Sequence, residues 1–259
     1  MSYETLIVET GDDYVAEIAL NRPKRFNTFN TPLASELLDA FKALDSDPKV
    51  RVIVVKGAGK TFCAGIDVTE LEGKNPMEYR EWIGRMEDPL VAVSRLKKPV
   101  IAQVHGVAAA NGMGLVAAAD LCIAADNARF GLTAINVGLN CVAPVVAVSR
   151  SVGRKIALEM LYYGNLLPAP EALRLGLINR MVPTAELDKE ARAWAALLAE
   201  KSPLALQNAK RGFYEAADLD YYKAFDHANE CLARLCTTDD AKEGVSAFFN
   251  NRKAEWRER

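Results

Sequence analysis

Runs of apolar residues, set off by glycine, proline and acidic turns, lay out most of the chain's elements. Residues 6–10 (LIVET) and 14–20 (YVAEIAL) read as two strands around a Gly-Asp-Asp turn, a hairpin by ordinary turn chemistry. NRPKRFNTFN (21–30) reads as a loop, because Pro23 cannot continue a central strand. Thr31-Pro32 then opens a helix through Asp45 with Leu33, Leu37, Leu38, Phe41 and Leu44 on one face. RVIVVKG (51–57) is a continuous apolar run, as a strand buried on both faces would be. GKTFCAGIDVTELEG (59–73) predicts a glycine-bearing turn leading into a helix, and residues 75–97 a helix broken near Pro89. LCIAAD (121–126) is a further strand, 130–144 a long loop with a short turn of helix, and 146–162 a helix. Pro168 and Pro170 introduce another helix, which Gly176 ends, with a short strand after it. From Ala185 onward the pattern is helical (185–200, 203–217, 219–236 and 239–251). Two parts follow: a mixed α/β core over 1–195 and a helical C-terminal part over 196–259. Tyr221, Tyr222, Phe225, Phe248, Phe249 and Trp256 give that tail more aromatic surface than a solvated appendage needs.

The chain is organised around residues 99–120, PVIAQVHGVAAANGMGLVAAAD. An apolar strand behind Pro99 passes through a small turn into a helix of small residues. Such a junction leaves the first helical N–H groups unpaired, with the positive end of the helix dipole behind them. A carbonyl oxygen gaining negative charge would be stabilised there. Taken alone, the same stretch also fits a small-residue helix packed tightly on a sheet.

Composition narrows the function classes. In 259 residues the chain is 50% hydrophobic and 25% charged with a net charge of −2, and has no sustained basic block, which argues against a nucleic-acid partner. No stretch of about 18 apolar residues is free of charge, so no membrane span is expected. The acidic start, MSYETLIVETGDDYV, points to a cytoplasmic protein. Cys63, Cys122, Cys141, Cys231 and Cys236 form no CxxC pair, and His105 and His227 no HExxH motif, so neither disulfides nor a metal are expected.

The motifs LNRPKRFNTFN, GKTFCAGIDVTEL, HGVAAANGMGLVAAAD and EALRLGLINRMVP, in this order, resemble those of the crotonase (enoyl-CoA hydratase/isomerase) superfamily. The likeness extends to the closing EGVSAFFNNRKAEW. NVGLNCVAP followed by SVGRKIALEMLYYG is most similar to the enoyl-CoA hydratase domain-containing protein 3 subgroup. The resemblance implies a crotonase-like α/β core of repeated ββα units, with a helical C-terminal region that builds trimers or hexamers. It implies an acyl-coenzyme A thioester substrate, with coenzyme A part of the substrate and no separate cofactor. Two backbone N–H groups, falling on Ile66 and Asn111, would hold the thioester oxygen. Losing one such donor costs about 3–4 kcal/mol of transition-state stabilisation.

Hydratases of the family also use two glutamates, and here those positions are Gly114 and Ala134. A positioned acid or base is worth about 10²–10⁴-fold, so their absence bears on the reaction itself. Cys141 lies in a loop where some members carry an aspartate; it either faces the acyl group or is a small core residue. Asn140 either orients a water or bonds its own turn. Glu70, Glu81 and Arg85 are either pocket groups or a solvated helix face. His105 suits a loop-fixing hydrogen bond, and His227 a surface pair with Asp226. By resemblance, Lys24 and Arg25 would cradle the nucleotide phosphates, Ala64 and Asp67 the adenine and pantetheine, and Phe248 and Arg252 a neighbouring subunit's ligand. The plainer reading of the basic pair is solubility. The function expected is therefore an enoyl-CoA hydratase/isomerase-type enzyme lacking both glutamates. The alternatives are a thioester hydrolase, a carbon–carbon lyase, or a non-catalytic acyl-CoA-binding paralogue.

Overall fold

The computed structural model describes residues 3–258; Met1, Ser2 and Arg259, at the two ends of the predicted core and tail, lie outside the described residues. Strands β1 (Leu6–Thr10), β2 (Val15–Leu20), β3 (Val52–Gly57), β4 (Val100–Val104), β6 (Leu121–Ala125) and β9 (Arg180–Val182) form a six-stranded sheet in the order β1-β2-β3-β4-β6-β9. β1 runs antiparallel to β2, as a hairpin must, and the other neighbours are parallel. A second, three-stranded sheet pairs β5 (Val107–Ala109), β7 (Arg129–Gly131) and β8 (Leu167–Pro168).

The side-chain period of two divides the large sheet's residues between two cores. Ile53, Val55, Val100, Ala102, Cys122 and Ala124 face the main core. That core is covered by helices α1 (Thr31–Ser46), α2 (Pro76–Val93) and α3 (Asn111–Ala118), which contribute Phe41, Met86 and Met113. Val52, Val54, Ile101, Ile123 and Ala125 face the other way, onto helix α7 (Leu187–Ala199). Helix α7 meets them with Leu187, Ala191, Ala195 and Ala199, an i, i+4 stripe whose small side chains let the helix lie close to the sheet.

Several expectations need correction. The segment after the first glycine turn is no full helix, only a single 3₁₀ turn over Val68–Glu70. Helix α2 runs unbroken through Pro89, which is buried; its burial with Trp82, Met86, Leu90 and Val93 offsets the lost backbone bond. The small turn of 105–111 contains strand β5, which the run of alanines gave no reason to foresee. The 146–162 helix is two helices, α4 (Pro144–Val152) and α5 (Arg154–Tyr163), parted at Gly153, whose φ of 76° no ordinary side chain favours. On α1, Leu38 is only partly buried, off the face formed by Leu33, Leu37, Phe41 and Leu44.

Helix α6 (Ala169–Arg174) precedes β9, and α8 (Pro203–Ala216), α9 (Tyr221–Cys236) and α10 (Asp239–Phe249) complete the chain. Helix α8 is tied to the end of α3 by Asp120, which accepts from Lys210 Nζ at 2.6 Å, Tyr214 Oη at 3.0 Å and the Val100 amide at 2.7 Å. Tyr221, Tyr222, Phe248 and Phe249 are exposed, whereas Trp256 folds back to donate to the Glu200 carbonyl at 2.8 Å and is half-buried. Among the described residues, no helix is long and apolar enough to cross a membrane.

Candidate active site

The two glycine turns are laid side by side by backbone hydrogen bonds. Phe62 N donates to His105 O at 3.1 Å, Cys63 N to Val107 O at 3.1 Å and Ala109 N to Cys63 O at 2.9 Å. Beyond this short ladder the contact is one that only glycine allows: a Cβ on Gly65 would stand 2.9 Å from Ala110 Cβ, and one on Gly112 would strike the Cys63 carbonyl oxygen. Ile66 and Asn111 each follow one partner of the Gly65–Ala110 contact, so the pairing brings their backbones to one place.

The orientation of both amides follows from their neighbours' bonds. Phe29 N donates to Gly65 O and Asp67 N to Phe29 O, both at 2.7 Å, so successive peptides point toward Phe29 and the intervening Ile66 N–H points away from it. Asn111 is the first residue of α3, a helix without a side-chain cap, so its N–H has no intrahelical acceptor. Ala110 holds φ 47° and ψ −115°, a region costly for alanine, and is pinned there by its N–H bond to Gly131 O at 2.9 Å. Neither the Ile66 nor the Asn111 amide has a hydrogen-bond acceptor among the described residues. The Asn111 side chain is buried and donates to Met86 O at 3.2 Å, tying α3 to α2.

The space around Gly114 is filled. A Cβ there would lie 2.6 Å from Leu90 Cδ2 and 3.0 Å from Pro144 Cβ. Ala134 sits partly buried in a 3₁₀ turn over Thr133–Val137, against the main core. Cys141 is buried, and burial pushes its thiol above the usual range, partly opposed by a hydrogen bond to the Ala134 backbone. Asn140 is exposed, and its side chain accepts from Val142 N at 3.4 Å.

Around the first turn, polar groups are committed to structure. Asp67 is buried; it caps the 3₁₀ turn at Thr69 and pairs with Arg22 at 2.8 Å. Burial raises the cost of its charge, but the bonds from Thr69 and Arg22 outweigh that and hold its carboxyl below the usual range. Glu70 accepts from Thr31 N, Thr31 Oγ1 and Trp82 Nε1, so its oxygens join α1 to α2. Lys24 and Arg25 are exposed on a 3₁₀ turn, and Ala64, partly buried, donates its N–H to Phe26 O at 3.0 Å. Glu81 and Arg85 are exposed. His105 Nε2 donates to Gly59 O at 2.9 Å, a loop-fixing bond. His227 pairs with Glu215 on α8 at 3.1 Å, not with its sequence neighbour Asp226. Phe248 is exposed, and the Arg252 guanidinium is engaged by Glu243 at 2.5 and 2.9 Å.

Two groups escaped the sequence reading. Asn27 is fully buried and donates to Ala58 O and Thr61 O at 2.9 and 2.7 Å, clamping the LNRPKRFNTFN loop to the first glycine turn. Its φ of 53° is one that asparagine tolerates, the single local hint. Glu87 on α2 is half-buried beside Met86, with burial and neighbouring Asp88 pushing its carboxyl above the usual range. Nothing in a helical MEDP tetrapeptide marks it out.

A family model described as enoyl-CoA hydratase/isomerase matches residues 10–259. The chain is 33% identical over 258 residues to crotonyl-CoA hydratase of Syntrophomonas wolfei, covering 99% of both chains. It is also 33% identical to rat mitochondrial enoyl-CoA hydratase domain-containing protein 3, over 94% of this chain and 82% of that protein. Among solved structures, an enoyl-CoA hydratase of Mycobacterium smegmatis superposes with a TM-score of 0.94 at 40% identity, covering 97% of this chain and 98% of that one. Human enoyl-CoA hydratase domain-containing protein 3 superposes with a TM-score of 0.94 at 31% identity, covering 98% and 100%.

Proposed function

The chain belongs to the enoyl-CoA hydratase/isomerase family, and on that premise we propose that the Ile66 and Asn111 amides together hold the thioester oxygen of an acyl-CoA. The observation that carries this reading is the Gly65–Ala110 contact, which sets two acceptor-free N–H groups on adjoining turns. An acyl thioester whose α- or β-carbon reacts gathers negative charge on its carbonyl oxygen. Fixed donors at that oxygen stabilise the charge without reorganising.

The two positions that carry glutamate in hydratases of the family are Gly114 and Ala134, so activation here rests on carbonyl polarisation more than on a pair of carboxylates. The apolar packing of Leu90 and Pro144 against Gly114 supports that reading. Cys141, buried with its thiol held above the usual range, and exposed Asn140 beside it in sequence are assigned to the acyl end of the site. Exposed Lys24 and Arg25 supply cations for the phosphates of coenzyme A, while Ala64 and Asp67 offer main chain beside the first amide. Phe248 and Arg252, on the tail, are assigned to contacts with a neighbouring subunit's ligand. The exposed rings of Tyr221, Tyr222, Phe225, Phe248 and Phe249 support self-association as a trimer or hexamer.

The deciding experiment is steady-state turnover of crotonyl-CoA and but-3-enoyl-CoA by the purified protein, with acyl-CoA binding measured in parallel. Turnover of either thioester supports an acyl-CoA enzyme. Tight binding with no turnover of any thioester in a wider panel makes the chain a binding paralogue instead.

A further inference from the structure

If the two usual carboxylates are absent, some other group must carry the proton that acyl-CoA chemistry moves. Glu87 is the candidate that the packing of α2 on α3 offers. Its predecessor Met86 accepts the Asn111 side-chain bond at 3.2 Å, fixing this turn of α2 beside the start of α3. Three residues on, Leu90 covers Gly114. On a helix, positions 87 and 90 are neighbours on one flank, so Glu87 lies along the α2–α3 seam between the levels of Asn111 and Gly114. Its carboxylate is half-buried yet makes no hydrogen bond or ion pair with any described residue. That sets it apart from Glu70 and Asp67, whose oxygens are all engaged by structure.

We propose that Glu87 is the proton carrier of this site, serving the double-bond shift that isomerases of the family perform on an enoyl-CoA, a chemistry that needs one carboxylate and no added water. This deepens the reading above and rests on it. The step balances with the substrate alone. The Glu87 carboxylate takes a proton from the α-carbon of a 3-enoyl thioester, and the C–H electron pair moves onto the carbonyl oxygen, giving a dienolate held by the two amides. Glu87, now protonated, returns that proton to the γ-carbon as the electron pair comes back from oxygen. The double bond ends between the α- and β-carbons. A carboxyl shifted upward by partial burial suits this exchange, because it is nearer to the basicity of the carbon it deprotonates.

The test uses but-3-enoyl-CoA in deuterated water, with wild-type protein, Glu87→Gln and Glu87→Asp. Wild type should form crotonyl-CoA. Glu87→Gln should lose about 10²–10⁴-fold in kcat with KM little changed, together with solvent-deuterium exchange at the α-carbon. Glu87→Asp, which keeps the carboxylate on a shorter stem, should retain part of both. Equal turnover and exchange in wild type and Glu87→Gln overturns the assignment while leaving the acyl-CoA reading intact. A wild type that hydrates crotonyl-CoA but never isomerises the 3-enoyl thioester overturns the reaction proposed here. A wild type that binds acyl-CoA and turns over no thioester overturns both readings, and the binding measurement tells that case apart.

Discussion

Gly65 lies so close to Ala110 that a Cβ on the glycine would stand 2.9 Å from the alanine's own. This contact is the hinge pin between two turns that come from distant parts of the chain, and it has a φ of 115° at Gly65 as its second requirement. Gly65→Ala should therefore destabilise the fold by more than about 1 kcal/mol, beyond the ordinary cost of a side chain at positive φ. It should also lower kcat/KM for acyl-CoA turnover by spreading the two amides. Urea unfolding and steady-state kinetics check the two effects separately.

The second prediction concerns the bound thioester itself. With two N–H donors on one oxygen, the infrared carbonyl stretch of a bound acyl-CoA should fall relative to free thioester, and its ¹³C carbonyl resonance should move downfield. In Gly65→Ala the shift should shrink. An unchanged carbonyl signal on saturating the wild type would remove the Ile66–Asn111 pair from the reaction.

On the proposed reading, placing a glutamate at position 114 should not create a hydratase. In Gly114→Glu the new side chain meets Leu90 and Pro144 within its first carbon, and overpacking of this kind costs about 1–3 kcal/mol. Thermal unfolding should show that loss, with no rise in crotonyl-CoA hydration. Combining Gly114→Glu with Leu90→Ala should recover part of the stability by making room.

Stability should depend on pH through the Arg22–Asp67 pair, at 2.8 Å. The Asp67 carboxyl is held below its ordinary range in the folded protein, so the unfolded chain takes up the proton first as pH falls. Its contribution is complete above about pH 5 and is lost as pH drops through the folded pKa, below the ordinary aspartate value of about 3.9. Asp67→Asn should be destabilised by about 1–3 kcal/mol at neutral pH, with the gap to wild type closing in acid. Denaturation curves across that range give the sign directly.

Thiol chemistry should be confined to one site. Cys63, Cys122, Cys141 and Cys231 are buried, Cys63 with its thiol pushed up to about 12, and Cys236 is exposed. Iodoacetamide on the native protein should modify at most Cys236 and leave acyl-CoA turnover unchanged. Labelling of Cys141 that tracks with loss of activity would make that thiol accessible from the substrate side.

Much of the fold was legible in short-range pattern. The apolar runs at 51–57 and 121–126 are the buried strands β3 and β6, and Thr31-Pro32 starts α1, where the structure adds the Asn30 side chain accepting from Leu33 N. These features depend on residues near one another in the chain, and the physics that sets them is local: side-chain period, capping and turn preference. The unbroken α2 was not legible. Proline's helix-breaking cost is a local property, but its compensation is the burial of Pro89 on the apolar face of α2, whose Trp82, Met86, Leu90 and Val93 join the main core.

The sequence by itself determined the apolar runs that became β1 to β4 and β6, the helices of the tail, the two glycine turns, and the absence of carboxylates at positions 114 and 134. Only the tertiary structure decided that Gly114 is walled in by Leu90 and Pro144, that Glu70 is occupied by Thr31 and Trp82, and that Glu87 is half-buried without a partner among the described residues. The reason is physical. A residue's type sets what it can bond or bury, but its neighbours come from segments tens of residues away, chosen by strand pairing and helix packing rather than by its own stretch of chain.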